Sequence, residues 1–233
     1  MKAALWRRAL AELVGTAGLV TVVVGSGIMA QTVSADGGVQ LLANSTATVF
    51  GLAVLILVLG PVSGAHFNPV VSAADWWLGR ANRSGLAPRE LGVYSAAQIT
   101  GGVAGAVLAN LMFRLAPVSW SHTDRSSANL WLGETVATAG LVLVIFALVR
   151  NGKTAAIPAA VGAYIGAAYW FTSSTSFANP AVTIGRAFSD TYAGIAPAGV
   201  PAFVAAQVIG LLVGLGLLTL LYPLPVREAF KSV

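Results

Sequence analysis

The chain has 233 residues, of which 57% are hydrophobic and 9% are charged, with a mean hydropathy of +0.81 and a net charge of +5. Because about a quarter of the residues in a soluble domain are charged, this composition excludes a soluble globular protein and indicates one that crosses the lipid bilayer several times. The absence of cysteine excludes disulfides and thiolate metal sites. The basic residues are scattered singly between apolar segments, so no nucleic-acid partner is predicted.

Six segments are apolar and about long enough, at 1.5 Å per residue, to cross a hydrocarbon core of about 30 Å. The first of them is too long for the hydrophobic part of a signal peptide, so it is predicted to be a transmembrane helix. The six predicted spans are 9–29, 41–60, 91–115, 130–149, 155–171 and 199–221.

Two shorter segments, 68–78 and 179–188, are predicted to be helices that cross only half of the bilayer. Each begins with Asn-Pro, and Asn is a good N-cap while Pro fits the first helical position. Each also follows a polar interruption between two apolar spans. Irregular backbone at membrane depth is tolerated only where it is buried in protein or lines a watery cavity, so the pair predicts a pathway across the membrane.

The two halves of the chain repeat the same order of elements. Segment 11–20 is echoed by 133–142, and Ala-Gln-x-x-Gly occurs at 97–101 and again at 206–210. Each half contains two spans, a half-helix and a third span, and three full crossings invert the second copy relative to the first. We therefore predict one channel domain over 1–233, with inverted repeats at about 1–115 and 130–233.

The distribution of Lys and Arg predicts the orientation, because these residues accumulate on cytoplasmic connections. With both termini in the cytoplasm, the outer side of the cell (inner) membrane carries only Arg114, Arg125 and Arg186. The inner side then carries Lys2, Arg7, Arg8, Arg80, Arg83, Arg89, Arg150, Lys153, Arg227 and Lys231.

Half-helices that begin near the midplane bring the positive ends of their dipoles together, which opposes cations and protons. Their asparagine side chains offer amide donors, and the unwound backbone before each one offers carbonyl acceptors. A small neutral solute can use both to replace its hydration. The residues predicted to present carbonyls are Gly64, Ala65, His66, Phe67, Thr175, Phe177 and Ala178.

These motifs resemble the aquaporin family, also called the major intrinsic proteins, over essentially the whole chain. The resemblance rests on the boxes Asn68-Pro69-Val70 and Asn179-Pro180-Ala181, on the Ala-Glu-x-x-Gly-Thr opening that contains Glu12, on its echo at Glu134, and on the two Ala-Gln-x-x-Gly segments. It implies an all-α membrane fold with six transmembrane helices and two re-entrant half-helices. It also implies a homotetramer with one pore per protomer, passive conduction and no cofactor.

The chain departs from the family pattern at two positions near the boxes. Val70 replaces the usual Ala of the first box, and Val182 stands where the family usually places an Arg three residues after the second Asn. That Arg belongs to a narrow outer constriction, and the resemblance implies its members here. They are Thr48, Ala167, Ser176 and Val182, with Gly166 or Ala168 in place of Ala167 if the register shifts by one residue.

Such a constriction contains no aromatic ring, imidazole or guanidinium, so it is expected to be wide. Glycerol-like polyols and small uncharged hydroxylated acids are the expected solutes, together with some water. The run from Phe177 to Arg186 also resembles a bacterial branch whose members are often encoded beside arsenic-resistance genes. That resemblance adds arsenite and methylated arsenicals to the expected solutes.

Four ionisable residues near the boxes have more than one interpretation. Glu12 and Glu134 are predicted to accept hydrogen bonds from the unwound backbone, with a proton relay as the alternative. His66 is predicted to line the cytoplasmic vestibule. Arg186 could reach the outer vestibule and partly replace the missing constriction charge, but the spacing favours an i,i+4 pair with Asp190.

Two other classes of function are weighed against a passive channel. A coupled secondary transporter also has inverted repeats and broken helices, but Glu12 and Glu134 are the only acids inside the full spans. A membrane enzyme is disfavoured because the sequence shows no metal-spaced His cluster and no Ser-His-acid set.

Overall fold

The computed structural model describes residues 3–80, 82 and 84–223. Within these residues the chain forms eight α-helices, joined by short connections, with 3₁₀ turns at Thr154–Ala156 and Pro197–Gly199. The helices are α1 (Leu5–Val33), α2 (Gly37–Ser63), α3 (Pro69–Gly79), α4 (Pro88–Met112), α5 (Ala128–Arg150), α6 (Ile157–Phe171), α7 (Pro180–Arg186) and α8 (Val200–Leu221).

Six helical segments, including those of α6 and α8 with their leading 3₁₀ turns, are long and apolar enough to cross a membrane, which confirms the six predicted spans. The helices are longer than the hydrophobic segments: α1 includes Trp6, Arg7 and Arg8 before the predicted start. A helix can continue beyond the hydrocarbon core into the polar interface, where charged residues are tolerated.

The cytoplasmic location of both termini stays a prediction. Four of the basic residues on which it depends lie outside the described residues: Lys2, Arg83, Arg227 and Lys231.

The two half-helices are α3 and α7, and α7 is shorter than the predicted 179–188. It ends at Arg186 because the next two carbonyls are used elsewhere. Ala187 O accepts the N–H of Ser121 at 3.0 Å, and Phe188 O accepts the N–H of Ser119 at 3.1 Å. The chain therefore leaves the helix and bonds to the connection that precedes α5.

The two halves of the chain pack in the same way. Helix α1 packs against α2 and α4, and α5 packs against α6 and α8, while the halves meet where α2 contacts α6 and α4 contacts α7. Two pairs of glycines spaced four residues apart lie against the backbone of a neighbouring helix. In α4, Gly101 and Gly105 contact α1, and in α8, Gly210 and Gly214 contact α5. Small residues let membrane helices approach closely, and these contacts enclose the half-helices between the long spans.

Candidate functional site

Each half-helix begins at an asparagine that caps it. Asn68 Oδ1 accepts the N–H of Val70 at 3.0 Å, and Asn179 Oδ1 accepts the N–H groups of Ala181 and Val182 at 2.9 and 3.3 Å. These bonds satisfy N–H groups that have no partner within the helix. The carbonyl side of each amide is thereby fixed, and its NH₂ group points away from its own helix.

The same two asparagines join the two breaks to each other. Asn68 Nδ2 donates to Ala178 O at 2.8 Å, and Asn179 Nδ2 donates to Phe67 O at 2.8 Å. The N-termini of α3 and α7 therefore face each other in the interior of the protein. Since a primary amide carries two N–H bonds, each asparagine keeps a second donor beyond this reciprocal pair.

The backbone before each asparagine is held in an unusual conformation. Ala65 and Phe67 in the first break, and Thr175, Ser176 and Ala178 in the second, have φ angles between +49° and +61°. Each such residue costs on the order of 1–3 kcal/mol, and residues of this kind cluster at functional sites. This conformation prevents the segments from folding into helix, so their carbonyl groups stay outside a helical ladder.

Glu12 holds the first break in this conformation. Its Oε1 accepts from Ser63 Oγ at 2.6 Å and from the N–H of His66 at 3.0 Å. Its Oε2 accepts from the N–H of Phe67 at 2.6 Å and from Gln98 Nε2 at 2.7 Å. The carboxylate is fully buried, and both of its oxygens act as acceptors from fixed donors.

Glu134 does the same for the second break. Its Oε1 accepts from Ser174 Oγ at 2.7 Å and from the N–H of Phe177 at 2.8 Å. Its Oε2 accepts from the N–H of Ala178 at 2.8 Å and from Gln207 Nε2 at 2.6 Å. Both glutamates therefore support the unwound backbone of their break. Each accepts hydrogen bonds from one serine, two backbone N–H groups and one glutamine, at equivalent positions of the two halves.

Sequence reasoning missed the function of the two glutamines. Gln98 Nε2 also donates to Ser72 Oγ at 2.9 Å on α3, and Gln207 Nε2 also donates to Thr183 Oγ1 at 2.8 Å on α7. Each glutamine therefore ties its glutamate to its half-helix. The repeated Ala-Gln-x-x-Gly segments carried this signal, since each places a glutamine at the same position of a largely apolar span.

A cavity of about 150 Å³ runs past the two breaks. Its inner end, defined here by Gly64, His66 and Asp75, opens into a second depression that also contains Arg8. Its outer end is defined by Thr48, which lies 15 residues before the end of α2 and hence about 22 Å along that helix. The wall between the ends includes the backbone of Ala65 and Phe67, Asn179, and apolar side chains of α1, α2, α5 and α6.

The outer end contains three of the four predicted constriction residues, Thr48, Ser176 and Val182. Thr48 Oγ1 donates to Asn44 O at 2.8 Å and lies 3.1 Å from the Tyr169 hydroxyl, which is therefore the donor of that second bond. Ser176 Oγ is buried and has no hydrogen-bond partner within residues 3–80, 82 and 84–223.

The predicted position on α6 is corrected by the structure. Ala167 is exposed on the outward face of the helix, and neither Gly166 nor Ala168 lines the cavity. Ile165 and Tyr169 occupy the inward face instead. The outer end of the cavity therefore contains the aromatic ring of Tyr169, which the expected set of small side chains did not include.

Arg186 also lines the outer end, and its exposed fraction is 2%. Its Nε donates to Ala193 O, and its guanidinium carbon lies 3.4 Å from the centroid of the Phe177 ring. The favoured pair with Asp190 is wrong. Asp190 instead accepts the backbone N–H of His122 and the His122 ring Nδ1–H, each at 2.9 Å, and these bonds hold the pKa of Asp190 below its ordinary value.

At the inner end, His66 lies where it was predicted, beside the vestibule. Its Nδ1 is 3.1 Å from Ser72 Oγ, and its ring meets Tyr94 edge-on at 5.5 Å between centroids. Asp75 Oδ2 accepts the N–H of Leu86 at 2.8 Å. In the part of the chain that the structure describes, no group of three or more His, Cys, Asp or Glu side chains could hold a metal ion.

Comparison with known proteins gives concordant matches. The family model described as major intrinsic protein matches residues 1–176. Aquaglyceroporin AqpS of Rhizobium meliloti (strain 1021) is 48% identical over 214 residues, which cover 92% of this chain and 89% of that protein. The glycerol uptake facilitator protein of Pseudomonas aeruginosa is 30% identical over 172 residues, which cover 64% of this chain and 59% of that protein.

A solved structure supports the fold. The X-ray structure of the aquaglyceroporin from Plasmodium falciparum superposes with a TM-score of 0.69 at 20% sequence identity. The match covers 92% of this chain and 96% of that chain. The arrangement of six long helices and two half-helices is therefore that of a known membrane fold.

Proposed function

Because the chain belongs to the major intrinsic protein (aquaporin) family, we propose that it is a passive transmembrane channel for small uncharged solutes, with glycerol-like polyols as its leading class. Members of this family are channels rather than enzymes. The observation that carries the proposal is the reciprocal bonding of the two breaks, Asn68 to Ala178 O and Asn179 to Phe67 O. It fixes Asn179 and the residues Ala65 and Phe67 of the first break beside one cavity, whereas Asn68, Thr175 and Ala178 do not line it.

A neutral solute with hydroxyl groups can exchange its hydration for these donors and acceptors. The rest of the wall, including Leu52, Val161 and Ile165, is apolar and accommodates the carbon skeleton of a polyol. A bare cation would have to exchange its whole hydration shell for a few carbonyl oxygens on a largely apolar wall, and it meets the positive ends of two half-helices. The cavity therefore favours small amphipathic solutes over ions.

The outer end sets the upper limit on solute size. Val182 stands at the position where the family usually has an Arg, and Tyr169 and Arg186 line the same cavity. We expect glycerol to pass, and we extend the proposal to arsenite and methylated arsenicals in their uncharged hydroxylated forms. The names of the relatives, an aquaglyceroporin and a glycerol uptake facilitator, support the polyol part of this proposal.

The proposal includes assembly and location. The long spans expose large apolar side chains such as Phe50, Leu57, Leu132 and Leu212, which suit contact with lipid and with other protomers. We propose a homotetramer in the bacterial inner membrane, with both termini in the cytoplasm and one pore in each protomer. Cross-linking of the purified protein in detergent tests the tetramer.

The transporter alternative is not favoured by any contact in the site. A coupling site needs an acid whose protonation or ion binding changes during the cycle. Glu12 and Glu134 each accept four hydrogen bonds from neighbours that pack them in place. Both are occupied by holding the backbone of the breaks.

Stopped-flow light scattering on proteoliposomes tests the channel. Native vesicles are expected to pass glycerol, arsenite and some water without an imposed ion gradient. Val182→Arg is expected to reduce glycerol and arsenite passage at least about tenfold, because its side chain enters the outer end beside Arg186. Ser127→Arg adds the same charge at an exposed position before α5 and is the matched control. If native vesicles pass no solute unless an ion gradient is applied, the result would favour a coupled transporter over a passive channel.

A further inference from the structure

The outer end of the cavity contains a cation that the sequence pattern of the family does not assign. Arg186 is buried, yet no carboxylate among the described residues pairs with it. Buried charges are normally paired, because an unpaired one is costly. The charge here is partly stabilised by the face of the Phe177 ring, 3.4 Å away, in a cation–π contact. An arginine without a paired carboxylate beside the lumen can repel passing cations and donate hydrogen bonds to passing solutes.

Resting on the channel proposed above, we propose that Arg186 is the selectivity cation of the outer constriction and takes over from four residues downstream the function of the arginine missing at Val182. Residues four apart lie on the same face of a helix, about 6 Å apart along its axis. Both side chains line the cavity. A long side chain at 186 can therefore reach the space that a short one at 182 leaves.

The direction of the Arg186 side chain supports this assignment. Side chains on a helix lean toward its N-terminus, and the N-terminus of α7 is the end that faces the midplane. The guanidinium stacks on Phe177, which precedes α7 in the chain. The side chain has thus folded back along the half-helix toward the constriction and away from the outer surface.

Two contacts hold the guanidinium in this position and leave part of it free. The Nε–H is used by Ala193 O, and the Phe177 ring is itself fixed by an edge contact with Phe203, with 5.1 Å between centroids. The terminal nitrogens of Arg186 make no hydrogen bond to any described residue. They are available to donate to the oxygen atoms of a solute in the lumen, which Tyr169 also lines.

Arg125 lies nearby but does not line the cavity. Its guanidinium carbon is 5.0 Å from the centroid of the same Phe177 ring, and its Nε donates to Gly194 O at 2.9 Å. It has the same charge, the same ring neighbour and a carbonyl partner in the same loop as Arg186. It therefore provides a matched control for every effect except contact with the lumen.

The proposed chemistry has two parts. A fixed positive charge at the outer end of the cavity repels sodium ions and hydrated protons, and its removal should raise cation permeability on the order of 100-fold for an ion passing at about 6 Å with an effective dielectric constant near 20. The free guanidinium N–H groups also donate to a solute hydroxyl while Tyr169 and Val182 contact its carbon atoms. The site thus recognises small uncharged polyols and hydroxylated acids.

The test measures sodium and proton entry into proteoliposomes under an imposed potential, together with glycerol entry, for each variant. The readout is the ratio of cation to glycerol permeability, which cancels the amount of folded channel. The cation permeability itself must also rise, because loss of the guanidinium donors lowers glycerol entry as well. Arg186→Gln is expected to raise this ratio about 100-fold, Arg186→Lys to keep it within about fivefold of native, and Arg125→Gln to leave it unchanged. Combining Val182→Arg with Arg186→Gln is expected to return the ratio to the native range.

An unchanged ratio in Arg186→Gln, or the same rise in Arg125→Gln, would overturn the assignment. If Arg186→Gln does not fold, the lysine variant and the combined variant decide, and failure of both to exclude cations overturns it equally. A native protein that passes no glycerol defeats the proposed function instead. The two failures are therefore distinguishable in the same set of measurements.

Discussion

Replacing Glu134 by Gln should destabilise the protein because of the geometry of its four hydrogen bonds. Gln is nearly the same size, but one of its two terminal groups is a donor. Ser174 can rotate its hydroxyl and Gln207 can exchange the ends of its amide, whose Oε1 is unpaired in the structure. The N–H groups of Phe177 and Ala178 belong to the backbone and cannot turn, so one of them loses its acceptor and faces an NH₂ group.

The magnitude follows from this one fixed donor. A buried donor without a partner costs about 1–3 kcal/mol, and bonds to a charged acceptor contribute more than bonds to a neutral one. We therefore expect Glu134→Gln to lower the free energy of unfolding by about 3 kcal/mol. For a chain of this size, that corresponds to a fall of roughly 6–12 °C in the unfolding midpoint.

The assay is thermal unfolding in detergent, followed by tryptophan fluorescence and size-exclusion chromatography. Glu12→Gln should show a similar fall, because Glu12 has an equivalent set of donors. Asp124→Asn removes an exposed acid and is expected to change the midpoint little. A Glu134→Gln protein with native stability would refute the support function, and loss of gradient-driven uptake in that stable variant would indicate a proton relay.

Two further predictions concern packing and the lumen. Gly102→Ala should reduce the yield of folded protein severalfold, because the added Cβ would lie 2.5 Å from Ala181 O at the contact of α4 with α7. Gly92→Ala on the same helix is the control and should fold normally, because its Cβ meets nothing within 4 Å. Tyr169→Ala should admit larger polyols such as erythritol in stopped-flow measurements, whereas Ala167→Val on the outward face should not alter glycerol passage. Blockage by Ala167→Val would contradict the register of α6.

The spans and the half-helices were predictable because their signals are local. Hydrophobic length identifies a transmembrane helix, and Asn-Pro identifies a helix start whatever surrounds it. The pairing of each glutamate with its break was also predictable from the sequence, because Glu12 and Glu134 are acids in apolar spans and need hydrogen-bond partners there. The identity of all four partners depended on the tertiary fold, which the repeat predicts only in outline.

The register of α6 was not predictable from its sequence. Nearly every residue in Ile157–Phe171 is apolar, so no polar face indicates which side of the helix is turned inward. One residue of error rotates the assignment by about 100°. The predicted Ala167 and the observed Tyr169 differ by two residues, which is enough to exchange the lipid-facing side for the lumen.

The partner of Arg186 was mispredicted for a different reason. The i,i+4 rule applies within a continuous helix, and α7 ends at Arg186 because its next carbonyls bond to Ser119 and Ser121. Asp190 is then carried to His122, which is distant in sequence. Neither the end of the helix nor the long-range contact has a local signature.

The two halves of the chain differ in charge at equivalent positions of the lumen. Asp75 and Arg186 each lie seven residues after their asparagine, and both line the cavity at opposite ends. The shared features of the halves build the path, so selectivity must come from the residues that differ between them. An attractive site at one end of a path does not remove a barrier at the other end. If Arg186 adds to the barrier of the half-helix dipoles as proposed, neutralising Asp75 should leave cation exclusion in place, whereas neutralising Arg186 should weaken it.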